Sequence, residues 1–169
     1  MDKKVSALLN EQINKEFYSA YLYLDMANYY TRVGLDGFAN WFEIQAQEEQ
    51  AHGMLMYEFL HNNDEVVTLE AIAKPDKVYQ KYDEPLREAL SHEKYVTDSI
   101  NTIYTAAREV QDYRTMQFLD WFIKEQGEEE KNANDLITKM ELFGNDPKGL
   151  YLLDSELAAR VFTAPSLTL

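Results

Sequence analysis

Gln47-Glu48-Glu49-Gln50-Ala51-His52-Gly53 is the stretch on which the fold turns. Glu49 and His52 are three residues apart, so on a helix they share one face, and that face continues in steps of three and four through Phe42, Gln45, Glu49, His52 and Met56. A carboxylate and an imidazole thus interrupt an otherwise apolar stripe of the kind a helix turns towards a core. Three other segments repeat the pattern. Leu9, Ile13, Glu16, Ala20 and Tyr23 fall on one, Leu86, Leu90, Glu93, Thr97 and Ile100 on a second, and Leu119, Phe122, Gln126, Glu129, Ala133 and Leu136 on a third. No Lys or Arg lies on any of the four stripes.

Carboxylates buried without cations cost several kcal/mol each in lost solvation. Either a bound cation offsets that cost or the groups protonate, since a buried Glu can raise its pKa and neutralise itself. Spacing favours the cation. Glu16 and Glu49 are 33 residues apart, as are Glu93 and Gln126, and each second member begins an i, i+3 pair: Glu49-x-x-His52 and Gln126-x-x-Glu129. Two helical hairpins of like design bring these groups together from four helices. At about 1.5 Å per residue, Glu16 and Glu49 lie at comparable distances from the Gly34-Leu35-Asp36-Gly37 turn between them, and Glu93 and Gln126 at comparable distances from the break near Tyr113. Single Glu residues from two helices with i, i+3 pairs from the other two are the arrangement that dinuclear carboxylate sites in bundles require.

Scarce glycine and proline punctuate the helical spacing, which predicts an all-α four-helix bundle in a single domain over 1–169. The helices are expected at about 4–33, 37–62, 84–110 and 114–143, with a short fifth at about 150–160 carrying Leu150, Leu153 and Leu157. The connection at 63–83, with a β-prone run Val66-Val67-Thr68-Leu69, is too long for a tight turn. It can cross the length of the bundle and make the third helix parallel to the second. With no cysteine among 169 residues, any metal must be held by oxygen and imidazole nitrogen. Hard oxygen ligands with one imidazole suit Fe(II), Mn(II) or Zn(II) alike, and the donor set alone does not choose among them. A formal charge of −14 and the lack of a basic patch argue against nucleic acid or anionic membranes as partners. No long apolar run or leader-like start is present, so the expected location is cytoplasmic.

Asn10-Glu11-Gln12 leading to Glu16, the run Gln47 to Gly53, the run Trp121-Phe122-Ile123-Lys124-Glu125-Gln126 and the ending Gly149-Leu150-Tyr151 resemble the non-haem bacterial ferritins, over nearly the whole chain. The resemblance implies a ferritin-like bundle with ferroxidase activity, oxidising Fe(II) with O2 or peroxide. It also implies a hollow homo-oligomeric shell of 24 subunits that stores ferric mineral, with the long connection at a two-fold interface. By the same resemblance Glu16, Glu49 and His52 bind the first iron, and Glu49, Glu93 and Glu129 bind the second with Gln126 close by, Glu49 bridging. Tyr23 resembles the family's tyrosine beside this centre, the alternative being a packed phenol. Glu48, Glu125 and Glu128, with Glu129, resemble a third iron site, the alternative being a solvated acidic face. Glu109, Asp112 and Asp120 correspond to an ion-entry region, again with surface acids as the alternative.

Haem is not implied, because Gln126-x-x-Glu129 and Gln50-Ala51 stand where the haem-containing relatives carry a second Glu-x-x-His and a methionine. The short fifth helix and the lack of a basic tail set the chain apart from the small DNA-protecting relatives. His61, at a helix end, and His92, one position off its stripe, are expected to be exposed and not to be ligands. Trp121 is expected to pack near the site. The competing functions are a shell subunit that binds iron without oxidising it, and another dimetal oxidase on the same bundle.

Overall fold

Each half of the chain folds as an antiparallel helical hairpin, and in the computed structural model, which describes residues 1–169, five helices account for all regular structure. The first, α1 (Lys3–Arg32), starts at Asp2, whose side chain accepts from the backbone N–H groups of Lys4 (2.9 Å) and Val5 (3.3 Å). It ends at a turn that needs Gly34, whose φ of +80° lies in the left-handed region. α2 (Asp36–Asn62) then returns along it. α3 (Glu84–Glu109) carries Pro85 in its first turn, and α4 (Tyr113–Phe143) is capped by Asp112, which accepts from the Thr115 N–H at 3.1 Å.

The long connection settles the relation between the hairpins. Ser6 Oγ donates to Glu65 (2.8 Å), Asn10 Oδ1 accepts from the Thr68 N–H (2.8 Å), and Asn14 donates to the carbonyls of Glu70 and Ala71. At the far end of α1 the Tyr30 hydroxyl donates to the Tyr82 carbonyl (2.6 Å). The connection therefore travels the length of α1, and α3 sets off parallel to α2. The Val66–Leu69 run forms no strand, because side chains of α1 satisfy part of its backbone in place of a partner strand.

The short fifth helix expected at about 150–160 is present and begins three residues earlier. α5 is Pro147–Leu157, beginning at Asp146, whose carboxylate accepts from the Gly149 N–H at 2.6 Å, with Pro147 in the first position. The Asp-Pro pair that stops α4 also starts α5. Its Leu153 and Leu157 are buried, Asp154 accepts from the Phe38 N–H (3.0 Å), and Asn40 on α2 donates to the carbonyls of Leu157 (3.2 Å) and Arg160 (3.1 Å). The tail continues across to α4, where Trp121 Nε1 donates to Ser166 (3.1 Å).

The core is in two parts. One cluster of 21 buried apolar residues, including Tyr30, Phe38, Phe42, Leu86 and Met140, fills the end of the bundle near the α1–α2 turn. A second of 14, including Leu9, Ile13, Met56, Ile100 and Phe122, fills the other end. The level between them is polar, and it is there that the four stripes place their carboxylates.

Gly37 packs directly beneath the carbonyl of Asp154, which a Cβ would overlap. Gly37→Ala should therefore lift α5 and the tail from the bundle at a cost of about 1–3 kcal/mol, seen as faster hydrogen exchange over residues 147–169 with α1 to α4 unchanged.

Candidate metal centre

Glu16 of α1, Glu49 and His52 of α2, Glu93 of α3, and Gln126 and Glu129 of α4 all reach the polar level, and none is more than 5 % exposed. No Lys or Arg is among the buried polar residues. Potential ligand atoms of Glu16, Glu49 and His52 all lie within 4.8 Å of one another, and His52 Nδ1 is 3.6 Å from Glu49 Oε2. Glu16 Oε1 accepts from Gln12 Nε2 at 2.8 Å, while Glu16 Oε2 is buried without any partner. An orphaned carboxylate oxygen beside a second carboxylate and an imidazole is the donor set a hard divalent cation takes.

Glu93 and Glu129 stand beside this group but face protein donors. Glu93 accepts from the Tyr23 hydroxyl on one oxygen and from Gln126 Nε2 (3.0 Å) on the other. Glu129 Oε2 accepts from Gln45 Nε2 at 2.7 Å, and the same nitrogen reaches Glu49 Oε1 at 3.3 Å. Burial pushes all four carboxyls up. Glu16 and Glu49 are raised well above the usual carboxylate range, by desolvation first and then by Glu49 for Glu16 and by Glu93 and Glu129 for Glu49. Desolvation raises Glu93 as well, and desolvation followed by the Glu93 charge takes Glu129 up to about 8. Without a cation the four share protons; with one, the same crowding becomes an attraction.

Two residues of this layer were not singled out by the spacing of the acids: Gln12 and Gln45. Each lies one helical turn before a glutamate, four residues ahead of Glu16 and of Glu49, and the two are themselves 33 residues apart. The repeat that links the acids thus carries their amide donors too, and a search of the stripes for every polar residue at that offset finds them.

His92 is a correction to expectation. It is 9 % exposed, covered by Tyr18, Tyr23 and Tyr95 and hydrogen-bonded at Nε2 to Ser19 Oγ (2.7 Å). Ser19 Oγ donates to the Lys15 carbonyl, so it accepts from the ring, and burial pushes His92 down to about 4. The aromatic residues flanking the stripe extend the covered surface past the position where exposure was expected. His61 is exposed, its ring against Tyr57.

Glu48, Glu125, Glu128 and Glu129 do not have ligand atoms gathered as those of Glu16, Glu49 and His52 are. Glu48 pairs with Arg160 at 2.5 Å, Glu128 is exposed and 3.5 Å from Lys124, and Glu125 Oε1 lies 4.0 Å from His52 Nε2. Of the acids near the α3–α4 turn, Asp112 caps α4, Asp120 accepts from Tyr104, and Glu109 is exposed beside Lys4. Trp121 packs edge-on against His52 with ring centres 5.4 Å apart.

A family model described as Ferritin-like domain matches residues 6–143. The chain is 37 % identical over 162 residues to a protein of Staphylococcus epidermidis named Bacterial non-heme ferritin, covering 96 % of this chain and 98 % of that one. It is 34 % identical over 157 residues to a probable bacterial non-heme ferritin-like protein of Haemophilus influenzae, covering 93 % and 95 %. Among solved structures, an open pore ferritin from the hyperthermophilic archaeon Archaeoglobus fulgidus superposes with a TM-score of 0.93 at 39 % identity, covering 95 % of this chain and 99 % of that one.

Glu129, raised to about 8 when folded against 4.5 when free, contributes stability in full below pH 4.5, and that contribution is lost as pH rises through about 8. Metal-free protein should therefore unfold at lower temperature at pH 8 than at pH 5. Glu129→Gln should flatten that dependence by more than about 1.4 kcal/mol, the worth of one pKa unit. Adding Zn(II) at pH 8 should restore the parent protein and not the variant in full, as read by thermal unfolding in chelator and in metal.

Proposed function

This chain belongs to the Ferritin-like domain family, and from that premise we propose that it oxidises Fe(II) with dioxygen at the paired carboxylate centre and stores the ferric product inside a homo-oligomeric shell of 24 subunits. The observation that carries the reading is Glu16 Oε2, buried and unpartnered beside Glu49 and His52 in a layer with no internal cation.

In this reading two Fe(II) ions enter as substrate. Glu16, Glu49 and His52 take the first, for which their ligand atoms are already gathered. Glu93 and Glu129 take the second with Glu49 shared, Glu129 through the oxygen that Gln45 does not hold, while Tyr23 and Gln126 stay beside Glu93. Protons held by the crowded carboxyls leave as the cations arrive. Each Fe(II) gives one electron to the same dioxygen, which takes up two protons and is reduced to hydrogen peroxide, and the carboxylates offset the added charge of each Fe(III). Hydrolysis of the ferric product releases further protons and frees it from ligands whose long side chains can swing away. Tyr23, raised far above its usual range by burial and by Glu93, remains a protonated donor that orients Glu93. A third iron on Glu48, Glu125, Glu128 and Glu129 requires Glu48 to part from Arg160.

Assembly has its own support. Tyr21 and Leu24 on α1 and Val66, Leu69 and Val78 on the connection are exposed large apolar residues, which contact with other copies would bury. The reading includes a cytoplasmic location; no helix is long and apolar enough to cross a membrane.

Glu49→Ala and His52→Ala should leave the particle assembled and slow iron oxidation by orders of magnitude. Anaerobic loading with Fe(II) followed by an oxygen pulse, read by absorbance, oxygen consumed and particle mass, checks this. Parent-rate oxidation in both variants would overturn the assignment. Iron uptake without oxygen consumption in the parent chain would identify a non-catalytic store.

A further inference from the structure

We propose that Arg160, beyond the end of α5, is a positioning residue of the metal centre, acting through the side-chain amide of Gln45. The inference rests on the two-metal reading above and adds a residue outside the four-helix bundle.

The geometry is a chain of three contacts. Arg160 Nη1 donates to Gln45 Oε1 at 2.9 Å, and Gln45 Nε2 donates to Glu129 Oε2 at 2.7 Å and to Glu49 Oε1 at 3.3 Å. A glutamine amide has one accepting and one donating end, and nothing in Gln45 itself fixes which faces the acids. A guanidinium only donates. Its presence at one end therefore requires the carbonyl oxygen there and sends the NH2 group to the carboxylates. Turned the other way, the amide would set its oxygen against two acids and its NH2 against a cation.

Arg160 is itself held from several sides. Its guanidinium lies 4.4 Å over the Trp41 ring, Nη1 also donates to the Trp41 carbonyl (3.1 Å), and Nη2 donates to Glu48 (2.5 Å). The backbone is clamped where Asn40 donates to the carbonyls of Leu157 and Arg160. A flexible tail would leave the amide free to flip, whereas this one is docked against α2 at the level of the centre. Lysine, a point charge without the planar fork, cannot make the Gln45, Trp41 and Glu48 contacts together.

The consequence falls on Glu49 and Glu129, the acids proposed to share and hold the second ion. With one oxygen of each fixed by Gln45 Nε2, the other is aimed, and the ligands are ordered before metal arrives. Gln12 does the same for Glu16 on α1, the other arm of the same hairpin: its Oε1 accepts from Ser99 Oγ (2.6 Å), which accepts in turn from Lys15 Nζ (2.6 Å). An amide backed by a cation thus recurs on α1 and α2, through Ser99 for Gln12 and directly for Gln45, whose cation comes from the tail.

The test is metal binding without turnover. Assembled, metal-free protein is titrated with Co(II), following heat and the visible absorption of the bound ion. Arg160→Ala should weaken the tighter-coupled second ion about 10-fold or more, within the range for removing a ligand's supporting contact, and change the Co(II) spectrum. Arg160→Lys should fall between. On a Gln45→Leu background, Arg160→Ala should have little further effect, because the route through the amide is already cut. Parent affinity and spectrum in Arg160→Ala, or an undiminished effect on the Gln45→Leu background, would overturn the positioning role alone. Failure of the parent chain to bind Co(II) would overturn the two-metal reading and this inference with it.

Discussion

Four glutamates in one buried layer, with no basic side chain among them, are the constraint from which the rest of the structure follows. Any two of them could be reconciled with burial by protonation. Four, with Glu16 Oε2 left unpartnered, are accommodated in the metal-free bundle only by shared protons, which an entering cation can replace. The apolar clusters on either side hold the layer in place, since together they bury large side chains at both ends of each of the four long helices. Stability comes from the ends, and the middle is left polar.

Around the acids the protein has placed groups that donate and carry no charge. Gln12, Gln45, Gln126 and Tyr23 each give a hydrogen bond to a carboxylate, and none competes with a metal as a lysine or arginine would. The charged residues are held one step further out, with Arg160 and Lys15 reaching the layer only through Gln45 and through Ser99. This arrangement orders the ligands without neutralising them. It also makes residues beyond the bundle part of the centre's architecture.

Much of this was legible in the chain. Steps of three and four placed Glu16, Glu49, His52, Glu93, Gln126 and Glu129 on core-facing stripes, and the common offset of 33 brought them to one height. The all-α bundle and its long crossover follow from the same pattern and from the length of the connection. Other features were hidden for physical reasons. The start of α5 depends on an Asp-Pro pair that equally well ends a helix. The burial of His92 depends on aromatic residues from α1 that are remote in sequence. The contact of Arg160 with Gln45 spans 115 residues and follows no periodicity. Patterns along a helix are local, whereas the partners of a tail are decided by where the helices end.

The central claim is that the acidic layer exists to hold two neighbouring cations. The most direct measurement is a crystal of the protein soaked in a divalent metal and read by anomalous scattering. The account predicts one peak against Glu16 Oε2, Glu49 and His52 Nδ1 and a second shared by Glu49, Glu93 and Glu129. Ordered metal on the outer surface with Glu16, Glu93 and Glu129 still in their metal-free contacts would contradict it.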